Sequence, residues 1–351
     1  MKKLLLFFAA LLLCSLAHSQ EAEGTGSYAD FRFVPRFDFN PYFTPGSSGD
    51  GSSGYSFGNS SIYTFIEGAF SDNISFTLSN HWLAASKPDW EDTAKLYTST
   101  FHSNAQNWLD ILTVDFSVGN WTFTVGKDCI LTGGFEYEDY DVDCDYMLAG
   151  ETILYASNLW LNLPGYQWGA KASYNLLDHT KLSLQMVTSP FGDYFFTSGL
   201  FCYSGMTEGS YGPFSNRWSA SAIQRPDGGF EWLVALSNKL DFADAFTFGF
   251  DWYNCVDIDY DLLGLDAPCE LLKGSTFRPS LAWAPAEQFD CRVIANVYTR
   301  LKELYDLNVA AMFHYRPIES IQLQAGLGWD LYSKMMAASV GVKVDLTFLS
   351  L

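Results

Sequence analysis

Apolar and polar residues alternate along most of this chain with a period of two. From Val340 to Phe348 every second residue is Val, Leu or Phe, and the residues between them are Gly, Lys, Asp and Thr. The same alternation recurs at 31–39, 166–175, 230–237 and 321–331. Such a pattern predicts β-strands that have one apolar and one polar face.

The alternation predicts sixteen strands, an even number, as a closed bacterial barrel requires. Their predicted ranges are 28–40, 60–70, 74–84, 107–118, 121–127, 165–176, 180–189, 195–204, 214–224, 229–239, 245–255, 274–284, 287–299, 304–316, 320–331 and 335–348. Long links, at 41–59, 85–106, 128–164 and 256–273, fall on one side of the sheet, and the shorter links fall on the other. The link at 205–213 lies on the short-link side although it is longer than a periplasmic turn should be.

Hydropathy distinguishes two kinds of β-protein. After the first residues there is no run of 18 apolar residues, so no helical span is predicted. A soluble secreted sandwich would turn polar faces to water, whereas these strands carry rows of Phe and Trp. Strands of this length with alternating faces are typical of membrane barrels. The chain is therefore predicted to be all-β, a transmembrane antiparallel β-barrel.

The N-terminus has the features of an export signal. Two lysines precede an apolar run at 4–13, and small residues follow at Ala17 and Ser19. This pattern predicts a signal peptide over 1–19, cleaved near Ser19, and a mature barrel over 20–351. Cys14 leaves lipid attachment open as an alternative. We expect delivery to the outer membrane of a Gram-negative cell, with the lipid bilayer and lipopolysaccharide as surroundings.

Six cysteines follow the predicted signal, and export permits disulfides between them. Cys129 and Cys144 lie in one predicted loop region, as do Cys255 and Cys269, so local pairing is open to both pairs. The remaining two, Cys202 and Cys291, fall inside predicted strands and are expected to be free and buried. The connectivity is not determined by the sequence.

Charge excludes one class of partner. After signal removal 18 basic residues remain against 40 acidic ones, a net charge of −22. Nucleic acid is therefore not an expected partner, since binding it needs clustered Lys and Arg. Enzyme signatures such as His-Glu-x-x-His and Gly-x-Ser-x-Gly are absent. A lipase interpretation would rest on His81 and Ser79, which are only neighbours on one strand, so no enzyme and no cofactor are predicted.

Acidic residues concentrate in the long link 128–164. Six of them are candidate functional residues: Glu136, Glu138, Asp139, Asp141, Asp143 and Asp145. The Asp-x-Asp spacing invites a calcium interpretation, but Cys144 and Gly150 occupy the positions where an EF-hand needs Gly and Glu. No metal site is predicted. The simplest alternative is an ordinary solvated loop.

Several segments resemble the phosphate-selective porin O/P family. They are Val125-Gly126-Lys127-Asp128 with the following block 131–138, the first strand at 31–36, and the segments 163–169 and 216–219. The resemblance implies a sixteen-stranded, trimeric porin whose third extracellular loop, here 128–164, folds inward and narrows the pore. Anion-selective members line their pores with dense Arg and Lys, which this chain lacks, so phosphate selectivity is not carried over.

With an inward loop, the acidic residues would face basic residues on the polar strand faces. The basic candidates for the pore wall are Arg32, Arg36, Lys171, Arg217, Arg278, Arg292, Arg316 and Lys343. An acidic loop opposite a basic wall would produce a transverse field that orients polar solutes and excludes apolar ones.

The predicted function is passive diffusion of small polar or charged solutes or ions through an outer-membrane porin, assembled as a homotrimer. The alternative is a non-conducting barrel that acts as a surface adhesin or structural protein. A transporter for a hydrophobic compound would need a plug domain, and strand one begins too soon after the signal to leave room for one. Conductance separates the first two hypotheses.

Overall fold

The computed structural model describes residues 27–45, 51–57, 60–85, 99–101, 109–136, 148–149, 152–153, 155–157, 159, 165–192, 198–243, 245–255, 274–300 and 303–350. Its strands are β1 Tyr28–Thr44, β2 Ser52–Ser56, β3 Ser61–Ser71, β4 Ile74–Ala85, β5 Ser99–Phe101, β6 Leu109–Val118, β7 Trp121–Cys129, β8 Leu148–Ala149, β9 Thr152–Ile153, β10 Tyr166–Leu177, β11 Thr180–Thr188, β12 Phe201–Tyr211, β13 Phe214–Gln224, β14 Phe230–Phe242, β15 Phe246–Tyr253, β16 Gly274–Ala286, β17 Phe289–Arg300, β18 Glu303–Ile318, β19 Ile321–Asp330, β20 Met336–Val344 and β21 Leu346–Ser350.

The described strands form a closed antiparallel barrel. Each long strand pairs with the next, and β1 pairs with β3 on one edge and with β20 and β21 on the other, so the sheet closes on itself. Strands β20 and β21 are the two halves of one barrel strand, which is interrupted at Asp345. Two short strands, β2 and β5, extend the ladders of β1 and β4 beyond the barrel wall, and β8 and β9 pair only with each other. The predicted count of sixteen barrel strands is confirmed.

One end of the barrel carries only tight turns. Seven links of two or three residues lie there, at 72–73, 119–120, 178–179, 212–213, 243–245, 287–288 and 319–320. We call this the short-turn end and the opposite end the long-loop end. The predicted strand at 195–204 is wrong, because β12 spans Phe201–Tyr211. The turn that follows it is Gly212-Pro213, and Gly212 takes a positive φ of 62° that favours glycine.

Burial is inverted relative to a soluble protein. Along β19 Leu323, Leu327 and Trp329 point outward and are exposed, while Gln322 and Gln324 point inward and are buried. An apolar exterior with a polar interior is the pattern of a barrel surrounded by lipid. No helix in the described ranges is both long and apolar enough to cross a membrane.

Aromatic side chains gather on the outer surface near the short turns. Trp121 and Tyr174 approach to 4.7 Å between ring centroids, and Phe246 contacts both Phe242 at 5.7 Å and Trp283 at 6.3 Å. Such aromatic residues form the girdle that membrane barrels place at the lipid–water interface.

The two strand cysteines differ in environment. Cys202 is free and fully buried, as predicted. Cys291 is also free but only partly buried, because it pairs with Trp283, whose side chain is on the outer surface. The prediction that Cys291 is buried is therefore wrong. The loop partners considered for Cys129 and Cys255, Cys144 and Cys269, lie outside the described residues.

Candidate pore lining and inward loop

The third long loop, between β7 and β10, folds into the barrel. Ile130 and Leu159 pack in one apolar cluster with wall residues that include Val187, Ile223 and Leu233. At a second place, Tyr155 and Ala156 pack with Ile294, Ala310 and Met312 of β17 and β18. The loop thus contacts the wall on strands that are far apart around the barrel. The predicted inward-folding third loop is confirmed for its described residues.

Two glycines let the loop approach the wall closely. Gly133 and Gly134 have φ values of 68° and 84°, in the left-handed region. A Cβ on Gly133 would lie 2.5 Å from the Ser219 Oγ, and one on Gly134 would lie 2.2 Å from the Tyr253 hydroxyl. Both the backbone conformation and the lack of space therefore require glycine here.

A hydrogen-bonded anchor fixes the start of the loop. The Leu131 amide donates to Gln185 Oε1 at 3.0 Å, and the Gln185 side-chain amide donates to the Cys129 carbonyl at 2.8 Å. From β13, the Ser221 hydroxyl donates to the Leu131 carbonyl at 3.3 Å. Side chains of β11 and β13 thus satisfy the polar backbone groups that the loop brings into the lumen.

A buried ionic cluster holds the middle of the loop. Arg278 on β16 lies with its Nη1 3.3 Å from Asp251 Oδ2 and its Nε 3.6 Å from Glu136 Oε1. Asp251 Oδ1 accepts the Phe135 amide at 3.0 Å, and Glu136 Oε2 accepts the Ser157 hydroxyl at 2.7 Å. We call Glu136, Ser157, Asp251 and Arg278 the loop clamp; all four are buried. One predicted acidic residue and one predicted basic residue thus meet directly.

Next to the clamp, Phe135 is covered by two cations. The Arg217 guanidinium lies 5.1 Å and the Lys239 ammonium 4.6 Å from its ring centroid. Arg217 also donates to the Gly134 carbonyl and to Glu208, each at 3.0 Å. A cavity of about 360 Å³ opens beside these residues towards the short turns at 178–179 and 212–213. The loop therefore stands above a polar vestibule at the short-turn end.

The other predicted wall cations lie beside carboxylates. Lys171 contacts Asp128 at 2.5 Å, and Arg32 donates to Asp345 at 3.2 Å. Other pairs or near pairs are Arg36 with Asp38, Arg316 with Asp290 at 2.7 Å, Arg292 with Asp290 at 3.8 Å, and Lys343 within electrostatic reach of Asp345. The wall is thus a set of local ion pairs rather than a uniformly basic surface.

Five of the six acidic loop candidates lie outside the described residues: Glu138, Asp139, Asp141, Asp143 and Asp145. The described residues on either side of them are far apart. Glu136 sits in the clamp at β16, and the short strand β8 contacts β1, β2 and β20. The signal peptide at 1–19 and its cleavage site also fall outside the described ranges.

Sequence reasoning missed two carboxylates that face the lumen. Asp110 interrupts an apolar face in the sequence, yet it is buried and lies 2.5 Å from His81 Nδ1. A register shift between Ser79 and Asn80 opposite β6 accounts for this, since a bulge reverses the side to which later residues point. Asp290 likewise contacts His314 at 2.8 Å. The sequence does not show the partner of either histidine, because each pair depends on the register between neighbouring strands. Within the described ranges, no group of three or more His, Cys, Asp or Glu side chains could hold a metal ion.

Comparisons with known proteins are informative only at the level of structure. No family model and no curated protein matches the chain. Engineered variants of the Rhodopseudomonas blastica porin are similar in structure, at 14% and 15% identity with TM-scores of 0.59, covering 91% of this chain and 100% of theirs. A loop-deletion mutant of OmpT, an outer membrane protein of Vibrio cholerae, is similar at 10% identity with a TM-score of 0.52, covering 91% of this chain and 99% of its own. At these identities the likeness concerns the fold, and the chain has the closed antiparallel barrel fold of the porins.

Proposed function

We propose that this protein is an outer-membrane porin through which small polar or charged solutes diffuse passively. The observation that carries this proposal is the inward loop, whose described residues contact the wall of a lumen lined by polar and ionic side chains. A barrel of sixteen strands is wide enough to leave a water-filled passage. A loop held across that passage would set its width without closing the barrel.

In this proposal, the loop clamp and the two apolar clusters hold a fixed constriction. The acidic residues Glu138, Asp139, Asp141, Asp143 and Asp145 complete it, as the sequence predicts. Support comes from the described residues on either side, which lie at β16 and near β1 and β20. The passage would then run between the loop and the part of the wall that the described loop residues leave uncovered.

We expect weak charge selectivity. The wall cations alternate with carboxylates on neighbouring strands, so their fields largely cancel beyond a Debye length of about 8 Å at physiological salt. Selectivity would then depend on the acidic loop, and small cations would be mildly favoured. Phosphate selectivity is not part of the proposal, and the narrower resemblance to the phosphate-selective O/P family stays a prediction.

The proposed setting follows from the asymmetry of the links. Short turns face the periplasm and long loops face the outside in membrane barrels. We propose the same orientation here, with the apolar exterior in contact with lipid and lipopolysaccharide. Removal of residues 1–19 and assembly into a homotrimer belong to the same proposal.

Single-channel recording of the refolded mature chain in a planar bilayer tests the proposal. We expect steady conductance, and in a salt gradient a small reversal potential of the sign that indicates cation preference. The matched control is a variant in which the five acidic residues 138–145 are replaced by Asn or Gln, which should abolish the preference and keep the conductance. A chain that inserts stably but never conducts would refute the porin proposal.

One observation favours the alternative of a non-conducting surface barrel. Lumen-facing Arg36, Asn296 and Asn308 are almost completely buried, whereas a wide pore would leave such residues in contact with water. A silent barrel that starts to conduct when the loop segment 138–147 is replaced by a Gly-Ser linker would be a plugged barrel of this second kind. A porin should conduct before that change and more strongly after it.

A further inference from the structure

The polar vestibule at the short-turn end is a cavity with the size of a small-molecule site. Its volume is about 360 Å³, and binding pockets for small molecules typically measure about 300–1,000 Å³. The short-turn ends of β10, β11, β12 and β13 form its wall, and Phe135 borders it on the side of the inward loop. A solute that moves along this side of the lumen would therefore pass through a space that can hold it.

The charged side chains of the vestibule balance one another. Lys181 of β11 and Arg217 of β13 flank Glu208 of β12, with Lys181 Nζ 2.6 Å from Glu208 Oε2 and Arg217 Nε 3.0 Å from Glu208 Oε1. Asp178, in the turn before β11, adds a second carboxylate to the lining. Two cations thus stand with two carboxylates, so the lining attracts neither sign of charge overall. A charged ligand would also have to separate ion pairs that are already formed.

Neutral groups supply the remaining contacts of the vestibule. Ser210 and Ser215 lie directly opposite each other on β12 and β13, and their hydroxyl oxygens are 3.4 Å apart. Asn175 adds a side-chain amide, and Leu177 and Phe135 add apolar surface. Hydroxyl and amide groups both donate and accept hydrogen bonds. The vestibule therefore combines donors, acceptors and apolar surface within one small volume.

A sugar fits this combination better than an ion does. Hydroxyl groups around a pyranose ring donate to carboxylates and accept from ammonium and guanidinium groups, so they can bridge Glu208, Lys181 and Arg217 without breaking the ion pairs. Hydrogen bonds to charged groups are stronger than those between neutral groups. The C–H groups on the faces of the ring suit the apolar surface of Leu177 and Phe135. We propose that the vestibule binds a neutral polyhydroxylated solute of the size of a monosaccharide; this names the solute class of the proposed porin function, on which the role of the site rests.

Isothermal titration calorimetry tests the site without requiring conductance. The full mature chain is refolded in a zwitterionic detergent, because sugar-based detergents would compete, and glucose or glycine is titrated at low and at high salt. We expect saturable binding of glucose with the same Kd at both salt concentrations, since salt screens only interactions between charges. The zwitterion glycine should show no saturable binding. In planar bilayers, glucose should reduce the ion current with the Kd found by calorimetry.

Three variants locate the site. Ser215→Leu removes a hydroxyl and fills the vestibule, so it should abolish glucose binding. Lys181→Met removes a donor from a side chain that is 45% exposed, and it should weaken binding about ten- to a hundredfold, the usual effect of losing a hydrogen bond to a charged group. The matched control is Ser117→Leu, because Ser117 lies on the lumen face at the short-turn end of β6, 3.4 Å from the Thr122 hydroxyl and outside the vestibule. This control should bind glucose like the unchanged protein. If Ser215→Leu does not fold, Lys181→Met decides the question.

Three outcomes would overturn the sugar site. No saturable heat with glucose would mean that the vestibule is only a passage. Unchanged glucose binding in both Ser215→Leu and Lys181→Met would mean that the sugar binds elsewhere. Saturable, salt-sensitive binding of glycine in place of glucose would mean that the ligand is ionic. A chain that conducts but does not bind glucose refutes the sugar site alone, whereas a chain that binds glucose but never conducts refutes the porin proposal and leaves only the binding.

Discussion

Replacing Arg278 by Ala should release the inward loop while leaving the barrel folded. Arg278 is fully buried and lies between two buried carboxylates, Asp251 and Glu136. Removing one partner of a buried ion pair typically costs about 3–5 kcal/mol, because the remaining charge is left uncompensated. The cost falls on the loop rather than on the sheet, since Glu136 can escape to water only if the loop leaves the wall.

That cost corresponds to a change of roughly two hundred- to five thousand-fold in the equilibrium between held and released loop. In planar bilayers, Arg278→Ala should give larger and noisier single-channel currents, and limited proteolysis should cut within 128–164. Heat modifiability should persist, which shows that the barrel remains closed. A triple variant, Arg278→Ala with Asp251→Asn and Glu136→Gln, removes the uncompensated charges and should partly restore the low current noise of the unchanged protein.

The matched control is Arg292→Ala on the neighbouring strand. Arg292 is partly exposed and lies 3.8 Å from Asp290, which keeps His314 and Arg316 as partners. Its removal should cost about 0–1 kcal/mol, as for exposed pairs, and leave currents steady. If Arg278→Ala folds and shows the conductance and protease resistance of the unchanged protein, then the clamp does not hold the loop and the reasoning is refuted.

Two further predictions concern the loop glycines and the lipid face. Gly134→Ala should destabilise the attachment of the inward loop by more than about 1–2 kcal/mol, the cost of a left-handed alanine, because its Cβ would also collide with the Tyr253 hydroxyl. Gly119→Ala has a positive φ but open space around the new Cβ, so it should carry only the conformational cost. The protease sensitivity of the inward loop compares the two variants. Leu327→Arg places a charge on an outward side chain that is 62% exposed, and it should destabilise the barrel in a bilayer by about 2–4 kcal/mol. Tyr332→Arg lies just beyond the end of β19 and should destabilise the barrel by only about 0–1 kcal/mol. Urea titration of folding into lipid vesicles measures both, and equal costs at the two positions would show that Leu327 does not face lipid.

Strand β12, which sequence reasoning misplaced, shows that apolar–polar alternation does not predict every strand. On β12 the outward positions between Tyr203 and Tyr211 are Gly205, Thr207 and Gly209, so the apolar alternation is interrupted over most of the strand. The strand persists because β11 and β13 supply hydrogen-bond partners along its whole length. Neighbouring strands can thus hold a segment in the sheet without help from its own hydropathy, and a single sequence does not display that help.

In the candidate site, too, some features follow from the sequence and others only from the pairing of strands. Parity along each strand is local, so the sequence indicates which cations face the lumen, among them Arg32, Arg217 and Lys343. The partner of each cation depends on register between strands, and register is changed by bulges such as the one beside Asp110. For that reason the loop clamp, the ion pairs of the wall and the pairing of Arg36 with Lys343 could not be predicted from the sequence.

The sequence by itself determined the class of this protein, because alternation with a period of two fixes which face of each strand is apolar, and sixteen such strands close a barrel. Tertiary structure alone decided which charges meet. Arg278 reaches Glu136 across 142 residues of chain, and Arg36 faces Lys343 only because the first and last strands join. Contacts of that kind arise from closure of the sheet and inward folding of the loop, and no local pattern of residues encodes them.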